Sequence, residues 1–154
     1  MCSCRVPAAG PGKLSLGVLE DVLGYHLAQA GVTTYGTFEQ YIGEPYSLRK
    51  VEYSLLMLVL ANGPLSPKRL GQALALSAPN LTLLLDRLQE RGLIRRERSP
   101  LDGRSQNIVL TATGRQLADD TAAAAAPMEA ELSDRLSRAE RLMLIELLRK
   151  VAGR

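Results

Sequence analysis

The sequence predicts a mainly α fold with a single small β-hairpin. Leu and Ala supply most of its apolar residues, both enter helices at little entropic cost, and there is no Trp and one Phe. Apolar side chains recur at three- and four-residue steps along most of the chain. That period gives way to short β-branched stretches around a run of turn formers between residues 93 and 110. With 154 residues, 46% of them hydrophobic and 23% charged, the chain accommodates one domain with a real core and does not read as disordered.

Residues 1–12, with Pro7, Gly10, Pro11 and Gly12, are expected to form a flexible tail. A helical pattern is expected from Leu14, on Leu16, Leu19, Val22, Leu23, Leu27 and Ala30. Gly31, Thr33 and Thr34 weaken it, Tyr35, Phe38 and Ile42 continue the stripe, and Gly43, Glu44 and Pro45 are expected to end it. Ser47 is the predicted N-cap of a second helix over 48–61, with Val51, Leu55, Leu58 and Val59 in the core and a stop at Asn62, Gly63 and Pro64. Ser66 caps a short third helix with Pro67 in its first turn and Leu70, Ala73 and Leu74 facing inward. After a turn at Ala75 and Leu76, Ser77 caps a fourth helix running to about Arg91. Its Leu81, Leu84, Leu85 and Leu88 make one narrow apolar stripe.

Residues 93–98 and 106–110 are the predicted hairpin strands, joined through Pro100, Asp102 and Gly103. Thr111 then opens a helix in which Pro127 is the expected kink or break. Ser137 and Glu140 form a capping box for a final helix expected to bury Leu142, Ile145, Leu148 and Val151.

Formal net charge is +3, unevenly distributed. Between Ser66 and Gln106 stand eight basic and four acidic side chains, while the remainder carries eleven basic and twelve acidic ones. A local positive field on a near-neutral body suits contact with phosphates. Helix, short turn, amphipathic helix and basic hairpin form the order of a winged helix-turn-helix, whose second helix enters the major groove of double-stranded DNA. On that reading Asn80 reads an adenine edge, Thr82 donates to or accepts from bases and phosphates, and Arg87 reaches phosphate or guanine. Ser66, Lys68, Arg69 and Ser77 stand at helix starts, where N–H groups and cations meet the DNA backbone. Arg95, Arg96 and Arg98 make the strands basic, and Arg104 at the tip suits the minor groove. Each feature also has a plain reading: the leucine stripe is core in any fold, and the hairpin arginines serve equally as a solvated face. The joint order is what favours DNA.

These residues carry a resemblance. Leu65-Ser-Pro-Lys-Arg-Leu70, Leu76-Ser77, Leu85-Asp-Arg-Leu88, Arg91-Gly-Leu-Ile-Arg-Arg96, Asp102-Gly-Arg-Ser105 and Leu110-Thr-Ala-Thr-Gly114 resemble the MarR family of bacterial regulators. The resemblance implies a homodimeric transcription repressor with long N- and C-terminal dimerisation helices and two winged-helix lobes on a pseudo-palindromic operator. It divides the chain into a tail (1–12), an N-terminal dimerisation region (13–46), a DNA-binding lobe (47–111) and C-terminal dimerisation helices (112–154). It implies that Asp102 orients Arg104 in the minor groove, with Ser105 in the same motif, and that Arg96 ends the segment leading to the wing. Two departures stand out. Pro79 and Leu83 occupy the groove-facing side, where polar residues are commoner, so part of the readout is expected to be apolar contact with thymine methyls. Gly103 replaces a frequent basic residue at the wing tip.

The family also implies, in many members, a small-molecule pocket between lobe and dimerisation region. Tyrosines cluster in the first two helices, and Tyr25, His26, Arg49, Tyr53 and Met57 are the candidates. A hydroxylated aromatic lining suits an aromatic acid, a phenol or an acyl-CoA thioester, with Arg49 as carboxylate partner. The plain readings stay open: core or interface for the tyrosines and Met57, a locally bonded ring for His26, a solvated charge for Arg49. The alternative is a regulator with no effector, or one sensing oxidation at Cys2 or Cys4, although a reactive thiol needs a fixed electropositive setting.

A winged helix used only for protein contacts is the competing function, distinguished by failure to bind random duplex at low salt. No Gly-rich phosphate loop, no Cys/His metal spacing and a lone His without nucleophile or acid partner argue against an enzyme, a cofactor or a metal. No segment approaches about 18 uninterrupted apolar residues, so the chain is expected in the cytoplasm and off the membrane.

Overall fold

The computed structural model describes residues 14–98 and 106–153. The chain divides after Gly36 into two compact units. The first holds a 3-10 turn, Gly17–Asp21, and most of helix α1, Leu23–Phe38. The helical pattern expected from Leu14 therefore starts late. Gly17 is left-handed (φ 53) and Val22 is extended, and both interrupt an α-helix. Leu14, Val18, Leu19, Val22 and Leu23 are exposed.

In the second unit α1 runs directly into a π turn, Glu39–Gly43, and a last turn α2, Glu44–Tyr46. The stop predicted at Gly43, Glu44 and Pro45 falls inside this helix. Pro45 stands near the end of this continuous helix without stopping it, and the π turn just before it carries Ile42 into the core. Ser47 is not an N-cap: it adopts a left-handed conformation (φ 50) that reverses the chain. The N-cap of α3, Lys50–Asn62, is Arg49, whose extended backbone meets the geometry a cap needs.

Helix α4, Pro67–Leu74, and α5, Ala78–Glu90, lead into strands β1, Ile94–Arg98, and β2, Gln106–Leu110. The strands pair antiparallel with Ile94 opposite Leu110 and Arg98 opposite Gln106. Leu65 extends the sheet by exchanging both backbone hydrogen bonds with Ile108. The core joins Leu55, Leu56 and Val59 to Leu70, the leucine stripe of α5, Ile94 and Ile108. Val51 and Leu58 only lean on it. Ala73 is exposed, because it stands off the line that Leu70 and Leu74 make along α4.

Helix α6, Ala112–Ser133, packs on α3 and passes through Pro127 unbroken. Pro127 lies on the exposed side, where water can satisfy the carbonyl that loses its partner, while Ala118, Thr121 and Met128 anchor the buried side. Thr111 caps α6: its hydroxyl accepts from Gly114 N–H (3.0 Å) and donates to the Gly92 carbonyl (2.6 Å), pinning the helix to the chain entering β1. The last helix, α7, Arg138–Val151, carries the predicted Ser137–Glu140 capping box. It buries none of its residues, contrary to expectation: Leu142, Leu148 and Val151 are exposed and Ile145 is half-buried. Its apolar stripe finds only marginal contact with the rest of the unit.

Candidate nucleic-acid interface

Helices α4 and α5 owe their mutual position to local chemistry. Ser66 Oγ accepts the Arg69 N–H (3.4 Å), and the left-handed Ala75 (φ 53) ends α4 while Leu76 N–H donates to the Gly71 carbonyl (2.9 Å). Ser77 has N-cap backbone geometry, but its hydroxyl makes no capping bond. Burying Leu81, Leu84, Leu85 and Leu88 turns Pro79, Asn80, Thr82, Leu83, Arg87 and Glu90 to solvent. Leu83 is 65% exposed. Thr82 Oγ1 donates to its own helix, to the Ala78 carbonyl (3.0 Å), so toward a partner it offers lone pairs and a methyl rather than a proton. A cleft of about 540 Å³ opens between α4, α5 and β1, lined by Lys68, Gln72, Leu76, Ala78, Thr82 and Arg96 among others.

The cations of this face do not all point outward. Arg96 Nη2 pairs with Asp86 Oδ1 (2.6 Å) and Nη1 donates to Gln89 Oε1 (2.9 Å), tying β1 to α5. Arg95 pairs with Glu97 (2.6 Å) on the strand surface. Arg87 Nη1 lies 3.6 Å from Glu52 Oε1, and Arg91 Nη1 lies 3.4 Å from Glu52 Oε2. Among the described residues, Lys68, Arg69 and Arg98 enter no ion pair. Asp102, Arg104 and Ser105, expected in the wing, lie outside the described residues.

Two residues that matter here were not legible beforehand. Gln89 and Glu52 read as ordinary polar helix residues, and only the packing of β1 and α3 against α5 gives them partners. Glu52 in particular is 2% exposed, which nothing in its neighbours' types foretells.

The effector candidates divide between the units. In the first, the Tyr25 and His26 rings meet edge-on (5.4 Å), and His26 Nε2 bonds to the Glu20 carbonyl oxygen (2.8 Å). In the second, Tyr53 is half-buried on α3, edge-on to Phe38 at 5.7 Å, with half-buried Met57 one turn further. Burial, helped by the negative charge of Glu129, raises the Tyr53 phenol above its ordinary pKa. Tyr41 is raised chiefly by its hydrogen bond to Glu131. Arg49 is exposed and lines a polar recess with Glu39, Glu52, Arg87 and Arg91, and no tyrosine lines it.

Among the described residues no helix is long and apolar enough to cross a membrane. A family model described as MarR family matches residues 46–105. The chain is 29% identical over 139 residues to a Thauera aromatica protein assigned to transcriptional regulation of the hcr operon, spanning 90% of this chain and 84% of that one. It is 31% identical over 105 residues to the HTH-type transcriptional regulator YkoM of Bacillus subtilis, spanning 68% of each. The structure of the transcriptional repressor CouR bound to a 23-mer DNA duplex superposes with a TM-score of 0.82 at 32% identity, covering 91% of this chain and 99% of that one. CouR bound to p-coumaroyl-CoA superposes with a TM-score of 0.80 at 30% identity, covering 91% and 98%.

Proposed function

The chain belongs to the MarR family of DNA-binding transcription regulators, and from that premise we propose that it is a homodimeric repressor of a pseudo-palindromic operator. The observation that carries this reading is a solvent-facing α5 surface tied by Arg96 to the basic strand β1, so that helix and strand meet a duplex together. Residues 47–111 form the DNA-binding lobe, and the regions 13–46 and 112–154 dimerise. Asn80 and Thr82 read bases, and Pro79 and Leu83 contact thymine methyls. Ser66, Lys68, Arg69, Ser77, Arg95 and Arg98 meet phosphates, while Asp102, Arg104 and Ser105 form the minor-groove wing. The exposed apolar residues of α7 support dimerisation, since a face of that size is seldom left to water.

The repressor is released by a small aromatic acid, phenol or acyl-CoA. The p-coumaroyl-CoA bound by CouR supports this, and Tyr25, His26, Arg49, Tyr53 and Met57 are the residues proposed to meet the effector. An effector binding the two DNA-free and DNA-bound spacings unequally shifts the equilibrium by that difference alone.

The test is fluorescence anisotropy on an inverted-repeat duplex taken from upstream of the chain's own gene. Affinity in the nanomolar range, falling steeply with salt as counterions are released, is expected. Arg104→Ala should weaken binding about tenfold or more, the scale of one lost groove contact. Unchanged affinity would remove the wing from the mechanism. Addition of p-coumaroyl-CoA or a hydroxycinnamic acid should raise the apparent Kd, and a flat response across such compounds counts against an effector of this class.

A further inference from the structure

Arg87 and Arg91 stand one turn apart on α5 and both reach Glu52 of α3, whose side chain is 2% exposed. The Glu52 carboxylate also accepts the Arg49 backbone N–H at 2.9 Å, so its Oε2 is shared between the N-cap of α3 and Arg91. A carboxylate this buried is tolerated only while paired and hydrogen-bonded, and removing a partner leaves a costly charge behind. Arg87 and Arg91 therefore favour staying on Glu52 over leaving it for DNA. On the other flank of α5, Arg96 holds Asp86 and Gln89. The C-terminal half of the helix is gripped on both sides of its buried leucine stripe. In its N-terminal half Thr82 donates to the Ala78 carbonyl of the same helix.

We infer that Glu52 is a positioning residue for DNA recognition: through Arg87 and Arg91 it sets the rotation of α5 about its own axis, and it withholds Arg87 from base reading. This rests on the reading of α5 as the recognition helix. It also revises the assignment of Arg87 as a guanine or phosphate contact, since its guanidinium has a partner inside the protein.

The experiment uses the full chain and three variants, Glu52→Gln, Arg87→Gln and the double substitution. Each is put through selection from a random duplex library, then measured by anisotropy on the wild-type selected duplex and on a scrambled one, with thermal melts followed by circular dichroism. Glu52→Gln keeps the shape and removes the charge. It should lower the ratio of selected to scrambled affinity about tenfold, the discrimination of roughly one base contact, while affinity for the scrambled duplex holds or rises. The freed Arg87 should alter the preference at base pairs beneath the C-terminal half of α5, and the double variant should lose that new preference. A purely structural role would instead lower both affinities in step with Tm. An unchanged ratio and selected sequence in Glu52→Gln, or strictly additive effects in the double variant, overturns the inference. Should Glu52→Gln fail to fold, Arg91→Gln at the exposed end of the same grip must show the same loss of ratio, and normal specificity there overturns the inference equally. A wild-type chain that selects no sequence overturns the DNA reading itself, which distinguishes the two failures.

Discussion

Gly114 is where α6 meets the backbone ahead of the hairpin, and its missing side chain makes that approach feasible. A Cβ built there would lie far inside van der Waals contact with the Leu93 carbonyl, a backbone group that cannot swing away as a long side chain would. The neighbouring Thr111 depends on the same closeness, since its N–H donates to Leu93 O (3.1 Å) while its hydroxyl donates to Gly92 O. Gly114→Ala should therefore destabilise the fold by about 2–3 kcal/mol, as overpacked sites do, and urea unfolding will read it directly. A loss under about half a kcal/mol would mean that α6 slides freely over the strand, contrary to the caps described above. The Thr-Ala-Thr-Gly run that resembles the family motif is thus explained by packing rather than by DNA contact. Residue identities alone could not separate those two explanations.

Single elements respond to solution conditions through their ends. At the start of α7, Ser137 N–H donates to Glu140 Oε2 (2.7 Å), and Glu140 N–H donates to Ser137 Oγ (3.3 Å). The Ser137 side-chain bond, and then its backbone bond, hold the Glu140 carboxyl below its ordinary pKa. A depressed carboxylate pKa contributes stability that is present above the unfolded-state pKa and lost as pH falls through the folded one. The expected outcome is a helical signal that Glu140→Gln diminishes at neutral pH, with the difference from wild type vanishing as the buffer is acidified through the carboxylate range. Curves that stay parallel to the lowest pH would deny the cap its role. This capping box was plain in the sequence, because it needs only two residue types three positions apart. The ends of α2 and α3 were not plain. Ser47 has the right residue type for an N-cap but sits in the left-handed region, and the preceding helix continues past Gly43 to Tyr46. Ile42 burial favours that continuation, and a local pattern does not report it.

At the scale of the molecule, the single chain leaves the apolar stripe of α7 exposed. Met143, Leu144 and Leu147 line an apolar recess of about 380 Å³ on its surface, and Leu142, Leu148 and Val151 are exposed beside them. On the proposed dimer, Leu144→Glu with Leu147→Glu should give a monomer in sedimentation velocity. It should also lose about a hundredfold or more of operator affinity, because each lobe would then bind without the effective concentration its tethered twin provides. A double variant that sediments and binds like wild type would put the dimer interface elsewhere. What the residues by themselves determined was the chain of helices, the turn between α4 and α5, the leucine stripe, the two hairpin strands and the family. The elements depend on spacings within a few positions, and the family on a resemblance carried by motifs between Leu65 and Gly114. The tertiary structure alone decided that Pro45 and Pro127 pass through helices, that Arg96 binds α5, and that Glu52 is buried against Arg91, 39 positions away. The reason is physical: a side chain's burial and ionic partner depend on which remote segment lies beside it, and local periodicity carries no information about that segment.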